Sequence, residues 1–256
     1  MIALLSAQFA RLWKTRAFWI MIGATAILSL WLCGCNYSPE IQSSARPVLL
    51  EDEFFTFFQF SGFISAAFIS LFLGTEYTDS TIRNKLVAGH KRRNIYFSGL
   101  IVCIAACFAA LCTHLLVGGI AGYLIFGGFK MGLSRAFYAI MCVFLLTAVY
   151  VAFCTAVAYG CQNRTTTAIL TLLTVTGEMA FVGILSGHLR DTAVQGGIPW
   201  LRGIGFTLYQ LLPCGQLQQI SMLDFDYHAY WPWLSAAMFA VISLIGCTAF
   251  AKKDIK

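Results

Sequence analysis

Apolar residues in this chain run in long blocks, and the polar residues gather in the gaps between them. At the amino end Leu4, Leu5, Phe9, Leu12 and Trp13 recur near helical spacing with Arg11, Lys14 and Arg16 beside them. That is the pattern of an amphipathic helix over residues 1–16 lying in a membrane interface. Apolar blocks follow over residues 17–35, 54–73, 95–120, 137–159, 166–187 and 233–250. Each approaches or exceeds the roughly 20 residues a helix needs to cross a bilayer. The pattern predicts an all-α integral membrane protein, a single domain over residues 1–256 with six transmembrane helices. A cleaved signal peptide is the alternative for the amino end, but no small-x-small cleavage site precedes Asn36.

Residues 198–222 do not fit the blocks. Ile198-Pro199-Trp200-Leu201 and the run from Phe206 to Leu212 are apolar, yet Arg202, the glycines and Pro213 interrupt them. Two short re-entrant half-helices broken at Pro213-Cys214-Gly215 are expected, entering one interface without crossing. Irregular backbone at that depth must be buried in protein or line a wet cavity. The other reading is a surface loop in which Trp200, Tyr209, Trp231 and Trp233 anchor at the headgroups.

Composition narrows the class. Of 256 residues 59% are hydrophobic and 11% charged, whereas about a quarter are charged in a soluble domain. The formal charge of +6 does not point to nucleic acid, because the basic residues sit at the ends of apolar blocks. With both termini on one side, 12 of the 17 lysines and arginines share that side. The positive-inside rule then makes the termini cytoplasmic and the chain a multi-pass protein of the plasma membrane. The loop over 36–53, with Glu40, Glu51, Asp52 and Glu53, belongs outside. Most of the ten cysteines lie within apolar blocks, where thiols act as small hydrophobes, and neither they nor the four histidines have metal-site spacing.

Little in the chain suggests catalysis. No glycine-rich phosphate loop ending in Gly-Lys-Ser/Thr occurs. A serine–histidine pair of His114 with Ser61 or Ser243 exists only on paper. The ionisable residues within the blocks are Glu178 and His114, and an ionisable group at that depth is a functional candidate. Glu178 lies roughly 18 Å and His114 roughly 28 Å along their spans from the cytoplasmic side, at about 1.5 Å per residue. Gln59 lies in the outer half as well. The three fit a small vestibule under the half-helices, a translocation path; hydrogen bonds among themselves, serving packing alone, fit equally.

The longest basic interruption runs from residue 74 to 94. Asp79 or Ser80 can cap a helix there and Gly89 can close it, about nine residues or two and a half turns on. Ile82 and Leu86 share one face, while Arg83 and Lys85 point elsewhere. A capped helix with a small apolar ridge and a basic surround suits docking into another protein; a loop made basic only to fix topology is the other reading. The order Glu76-Tyr77, Thr81-Ile82-Arg83-Asn84-Lys85-Leu86, Ala88-Gly89 and Ile95-Tyr96 resembles the loop after the second span in ABC type 2 export permeases of the bacitracin and lantibiotic kind. This chain has Asp79-Ser80 where many of those permeases have a glycine in the turn.

The resemblance implies a coupling helix that sits in a groove of a separate ATPase, with Glu76, Asp79, Ile82, Arg83, Lys85, Leu86 and Gly89 as its residues. It implies two copies of that ATPase, a second permease chain, and ATP with Mg held by the partner, no cofactor being bound by this chain. Pro199, Trp200 and Pro213 would cap the exit, and the cargo would be an amphipathic peptide, antimicrobial or lipid leaving the cell. An intramembrane enzyme using Glu178 or His114, or a non-transporting immunity or anchor protein, are the alternatives.

Overall fold

The computed structural model describes residues 1–36, 49–79, 81–161, 163–195, 199–223 and 229–252. It is 91% helix, with no strand among those residues, and six helices are long and apolar enough to cross a membrane. The chain is thus an all-α protein of the multi-pass membrane type.

Helix α1 (Ile2–Lys14) ends at Thr15, whose extended backbone (ψ 123°) turns the chain into α2 (Arg16–Asn36). The Thr15 hydroxyl donates to Arg11 O at 2.7 Å, and Trp19 packs edge to face on Trp13 and on Phe18 at the elbow. Leu4, Gln8 and Leu12 face the bundle, while Ile2, Phe9 and Trp13 are exposed. The apolar residues expected on one stripe are thus divided, Leu4 and Leu12 inside and Phe9 and Trp13 outside.

The second apolar segment is composite: α3 (Leu50–Thr56), a 3-10 stretch over Phe57–Phe60, and α4 (Ser61–Thr78). It begins four residues before the expected position, because the acidic residues placed in the loop belong to the helix. Glu51 and Glu53 are buried. Glu51 accepts the backbone N–H groups of Lys130 and Met131, so a carboxylate is held in the bundle by two amides of another turn. Residues 37–48, with Glu40 and Arg46, lie outside the described residues, as do Lys253 and Lys256.

A short helix α5 (Thr81–Val87) then leads to α6 (Arg92–Phe126). At 35 residues α6 is longer than the expected 95–120, roughly 50 Å at 1.5 Å per residue. Gly118 and Gly122 lie inside it and are buried, Gly122 where a Cβ would run into Leu50. Gly122 thus permits a close approach of α3, and Gly118 leaves room for the His114 ring of its own helix. Gly127 ends the helix at φ +86°, a conformation glycine adopts without steric cost.

Helix α7 (Leu133–Cys161) and α8 (Arg164–Gln195) form the fourth and fifth long helices, and α11 (Trp231–Lys252) the sixth. Between them α9 (Pro199–Leu211) and α10 (Pro213–Ser221) are too short to cross. Helix α4 packs on α7 and α8, α2 on α6, and α11 along α7. Leu173 and Ile184 on α8, and Leu244 and Ile245 on α11, remain exposed; helices surrounded by lipid keep an apolar exterior of this kind.

Candidate functional site

Polar side chains gather at two places in the bundle. The first is the end that carries the N-terminus and α5. Glu76, in the last turn of α4, is fully buried. One of its oxygens accepts from Gln8 at 2.8 Å, from Lys85 at 2.7 Å and from Arg11. Arg11 also donates to Phe72 O and Thr75 Oγ1, and its guanidinium lies over the Phe72 ring at 4.8 Å. The result ties α1, α4 and α5 through a single carboxylate. Two cations on one buried anion offset part of the desolvation cost that each charge carries in this setting, while the other carboxylate oxygen is buried with no hydrogen-bond partner among the described residues.

Helix α5 is shorter than expected and faces differently. Ile82 is 1% exposed and belongs to the chain's own core, Leu86 packs against that core, and Lys85 turns inward to Glu76. The expected docking ridge of Ile82 and Leu86 is therefore an internal contact, and Glu76 and Lys85 are internal too. The physical reason is local: an apolar ridge on a short helix beside a bundle buries itself on the bundle first. The exposed face is Arg83, Asn84, Val87 and Ala88, with Val87 83% exposed.

The ends of α5 also divide the expectation. Gly89 has φ +83°, with its N–H on Leu86 O and the His90 N–H on Lys85 O, so it closes the helix in the paired-bond motif that favours glycine. Asp79 does not cap α5; it terminates α4, its N–H bonding Thr75 O at 2.9 Å. Ser80 lies outside the described residues. Below the loop the Tyr77 hydroxyl donates to Tyr159 O at 3.1 Å, and Tyr96 and Tyr159 pack at 5.3 Å. The two tyrosines of the sequence motif thus floor this end rather than facing outward.

The second place lies deeper, around α10. Glu178 on α8 accepts the Cys214 N–H at 3.0 Å and the Tyr150 hydroxyl at 3.1 Å. Leu212 offers no side-chain cap to α10, so Glu178, 36 residues away, takes the amide that a cap would have taken. At the other end of α10, Gln59 donates to Ser221. Two of the three polar residues expected in one vestibule therefore clamp the two ends of a nine-residue helix, about 12 Å apart. The break itself falls at Leu212-Pro213, with Pro213 in the first turn of α10, a position where its missing N–H costs nothing.

His114 does not join them. Its ring stacks on Phe57 at 3.7 Å, with Nε2 3.1 Å from Phe54 O and Nδ1 2.9 Å from Ser29 Oγ. A carbonyl only accepts, so Nε2 carries the proton, while Nδ1 shares the Ser29 hydroxyl with Thr25 O, 2.8 Å from that hydroxyl. Its serine is Ser29, not Ser61 or Ser243. Ser29 and His114 are 1% and 3% exposed, which closes the pair to a substrate in this arrangement. Cys214 is buried too, and burial, and then the neighbouring Glu178 charge, push its thiol up to about 12, away from the thiolate form.

A cavity of about 510 Å³ opens beside Glu178, between α7, α8 and α11 and under the α9–α10 break. Pro213 is on its wall; the side chains of Pro199 and Trp200 lie outside the described residues, as does residue 198. Signals for the Glu76 tie were present in sequence only as an acid at one block end and cations at others. Nothing in the sequence marked a carboxylate in one span as the partner of a backbone amide after Pro213. Compared with known proteins, the chain matches no family model, and no curated protein matches it.

Proposed function

We propose that this chain is the membrane-spanning permease subunit of an ATP-driven ABC exporter, carrying an amphipathic substrate out of the cell with a separate ATPase. Two ATPase copies and a second permease chain complete the assembly, and both termini of this chain face the cytoplasm. The observation that carries the reading is α5: a short helix closed by Gly89 and lashed to the bundle through Lys85 and Glu76. A lever of this kind must be fixed to what it moves and open to what moves it. Its fixed side is Ile82, Lys85 and Leu86, and its open side is Arg83, Asn84 and Val87.

The ATPase contact therefore falls on Arg83 and Val87, not on Ile82 and Leu86. Arg83 offers a planar donor fork to an acidic residue, and Val87 an apolar anchor beside it. The test is whether a neighbouring reading frame encodes an ATP-binding subunit, whether that subunit copurifies with this chain, and whether the membrane-embedded complex turns over ATP. Retention of the ATPase by the natural chain, and its loss in Arg83→Glu/Val87→Asp, is the expected result. Purification of the chain with no ATP-binding partner, and transport or hydrolytic activity from the chain alone, would sink the reading.

A further inference from the structure

We infer that the cavity beside Glu178 is a binding site for a single-chain amphipath with an ammonium head, its hydrocarbon tail lying in the cavity and its charge meeting the Glu178 carboxylate. Its volume, about 510 Å³, falls within the range of small-molecule sites. The wall is almost wholly apolar, built by Phe153, Phe181, Leu208, Met238 and Ile242 among others. Phe181 and Leu208 on that wall are 48% and 39% exposed. The cavity thus opens through the flank of the bundle, where a chain arrives from the bilayer, rather than along its axis.

The head is specified by charge. Among the described residues Glu178 is the one charged residue on the wall, and no described lysine, arginine or histidine lines it. Its two hydrogen bonds come from neutral donors, the Cys214 amide and the Tyr150 hydroxyl. Each carboxylate oxygen has room for a second donor, so the group can take an ammonium without giving up its hold on α10. An anionic head would face an uncompensated carboxylate, and a hydroxyl would supply no charge. At this depth a carboxylate without a cation is costly, and the ligand is what supplies the cation.

Taken as cargo, this ligand rests on the transport reading; as a binding site it does not, and the experiment keeps the two apart. The full chain, without any ATPase, is placed in phosphatidylcholine nanodiscs and photolabelled with a diazirine-bearing dodecylamine. Dodecylammonium, dodecanol and dodecanoate compete, and labelled peptides are mapped. Label is expected on residues 149–153 and 174–181, displaced by dodecylammonium at about tenfold lower concentration than by dodecanol, whose hydroxyl can donate to the carboxylate but brings no charge. Glu178→Gln should erase that tenfold preference.

Because Glu178→Gln also weakens the hold on α10, a second variant is needed. A Cβ at Gly177 meets nothing within 4 Å, so Gly177→Leu fills the cavity while favouring the helix. It should keep the unfolding temperature of the natural chain and lose most of the label. Equal competition by all three compounds, or full labelling of a folded Gly177→Leu chain, would overturn the inference. ATP turnover plays no part in this measurement, so a failure here leaves the transport reading to its own test.

Discussion

Two carboxylates, the fully buried Glu76 and the half-buried Glu178, sit at different depths of the bundle, and their surroundings differ in kind. Glu76 meets Arg11 and Lys85 and is fully buried. Among the described residues Glu178 meets a backbone amide and a tyrosine hydroxyl and no cation, and it borders a cavity. A charge neutralised within the chain is a structural tie, since its partners are spent on it. A charge held by neutral donors next to open volume retains capacity for something brought from outside. The comparison assigns stability to one end of the bundle and ligand binding to the other.

Removing Glu76 is the harshest way to break that comparison. Glu76→Ala leaves Arg11 and Lys85 partly buried without their anion, and breaking such a pair costs about 3–5 kcal/mol. Thermal unfolding in detergent should show a chain that barely folds, and Arg11→Ala should fail in the same direction by less. If Glu76→Ala unfolds within a degree or two of the natural chain, the tie is not structural. Next in size is Ile82→Ala. At 1% exposure its loss should cost about 2–5 kcal/mol as a buried side chain is truncated, read as a lowered unfolding temperature. An Ile82→Ala chain of full stability that loses its partner would restore the outward ridge.

Glu178→Gln should cost less than Glu76→Ala, because an amide can still accept from Cys214 or Tyr150. About 1 kcal/mol is expected for the weakened bonds. A larger loss than that of Glu76→Ala would reverse the assignment of the two ends. The smallest effect concerns thiols. Cys214 should alkylate far more slowly at neutral pH than Cys35, because Cys214 is buried and its thiol is pushed up to about 12 while Cys35 is exposed. Equal rates in a folded chain would mean that α10 opens readily.

Much of the architecture is legible in the sequence for a simple reason: a lipid-crossing helix needs about 20 apolar residues, and no other structure satisfies its backbone there. Gly89 and Pro213 are legible for the same kind of reason, since a left-handed end and a missing N–H each favour one residue type. What fails is direction. Ile82 and Leu86 sit four apart and share a face, but spacing does not say whether that face meets a partner or the chain's own bundle. The ends of blocks also mislead when an acid is buried, as with Glu51, whose partners are backbone amides and carry no sequence signal. Long-range pairs, Gln8 with Glu76 and Ser29 with His114, are 68 and 85 residues apart, and one-dimensional patterns do not reach that far.

The account turns on which face of α5 is free, and a paired measurement decides it. Arg83→Glu/Val87→Asp and Ile82→Ala are each coexpressed with the ATP-binding subunit, and both unfolding temperature and ATPase retention are read on the same preparations. The account predicts that the first keeps the unfolding temperature and loses the ATPase by tenfold or more in affinity, about 1.4 kcal/mol. It predicts that the second loses stability while whatever remains folded still holds the ATPase. A folded, fully coupled Arg83→Glu/Val87→Asp complex would contradict it.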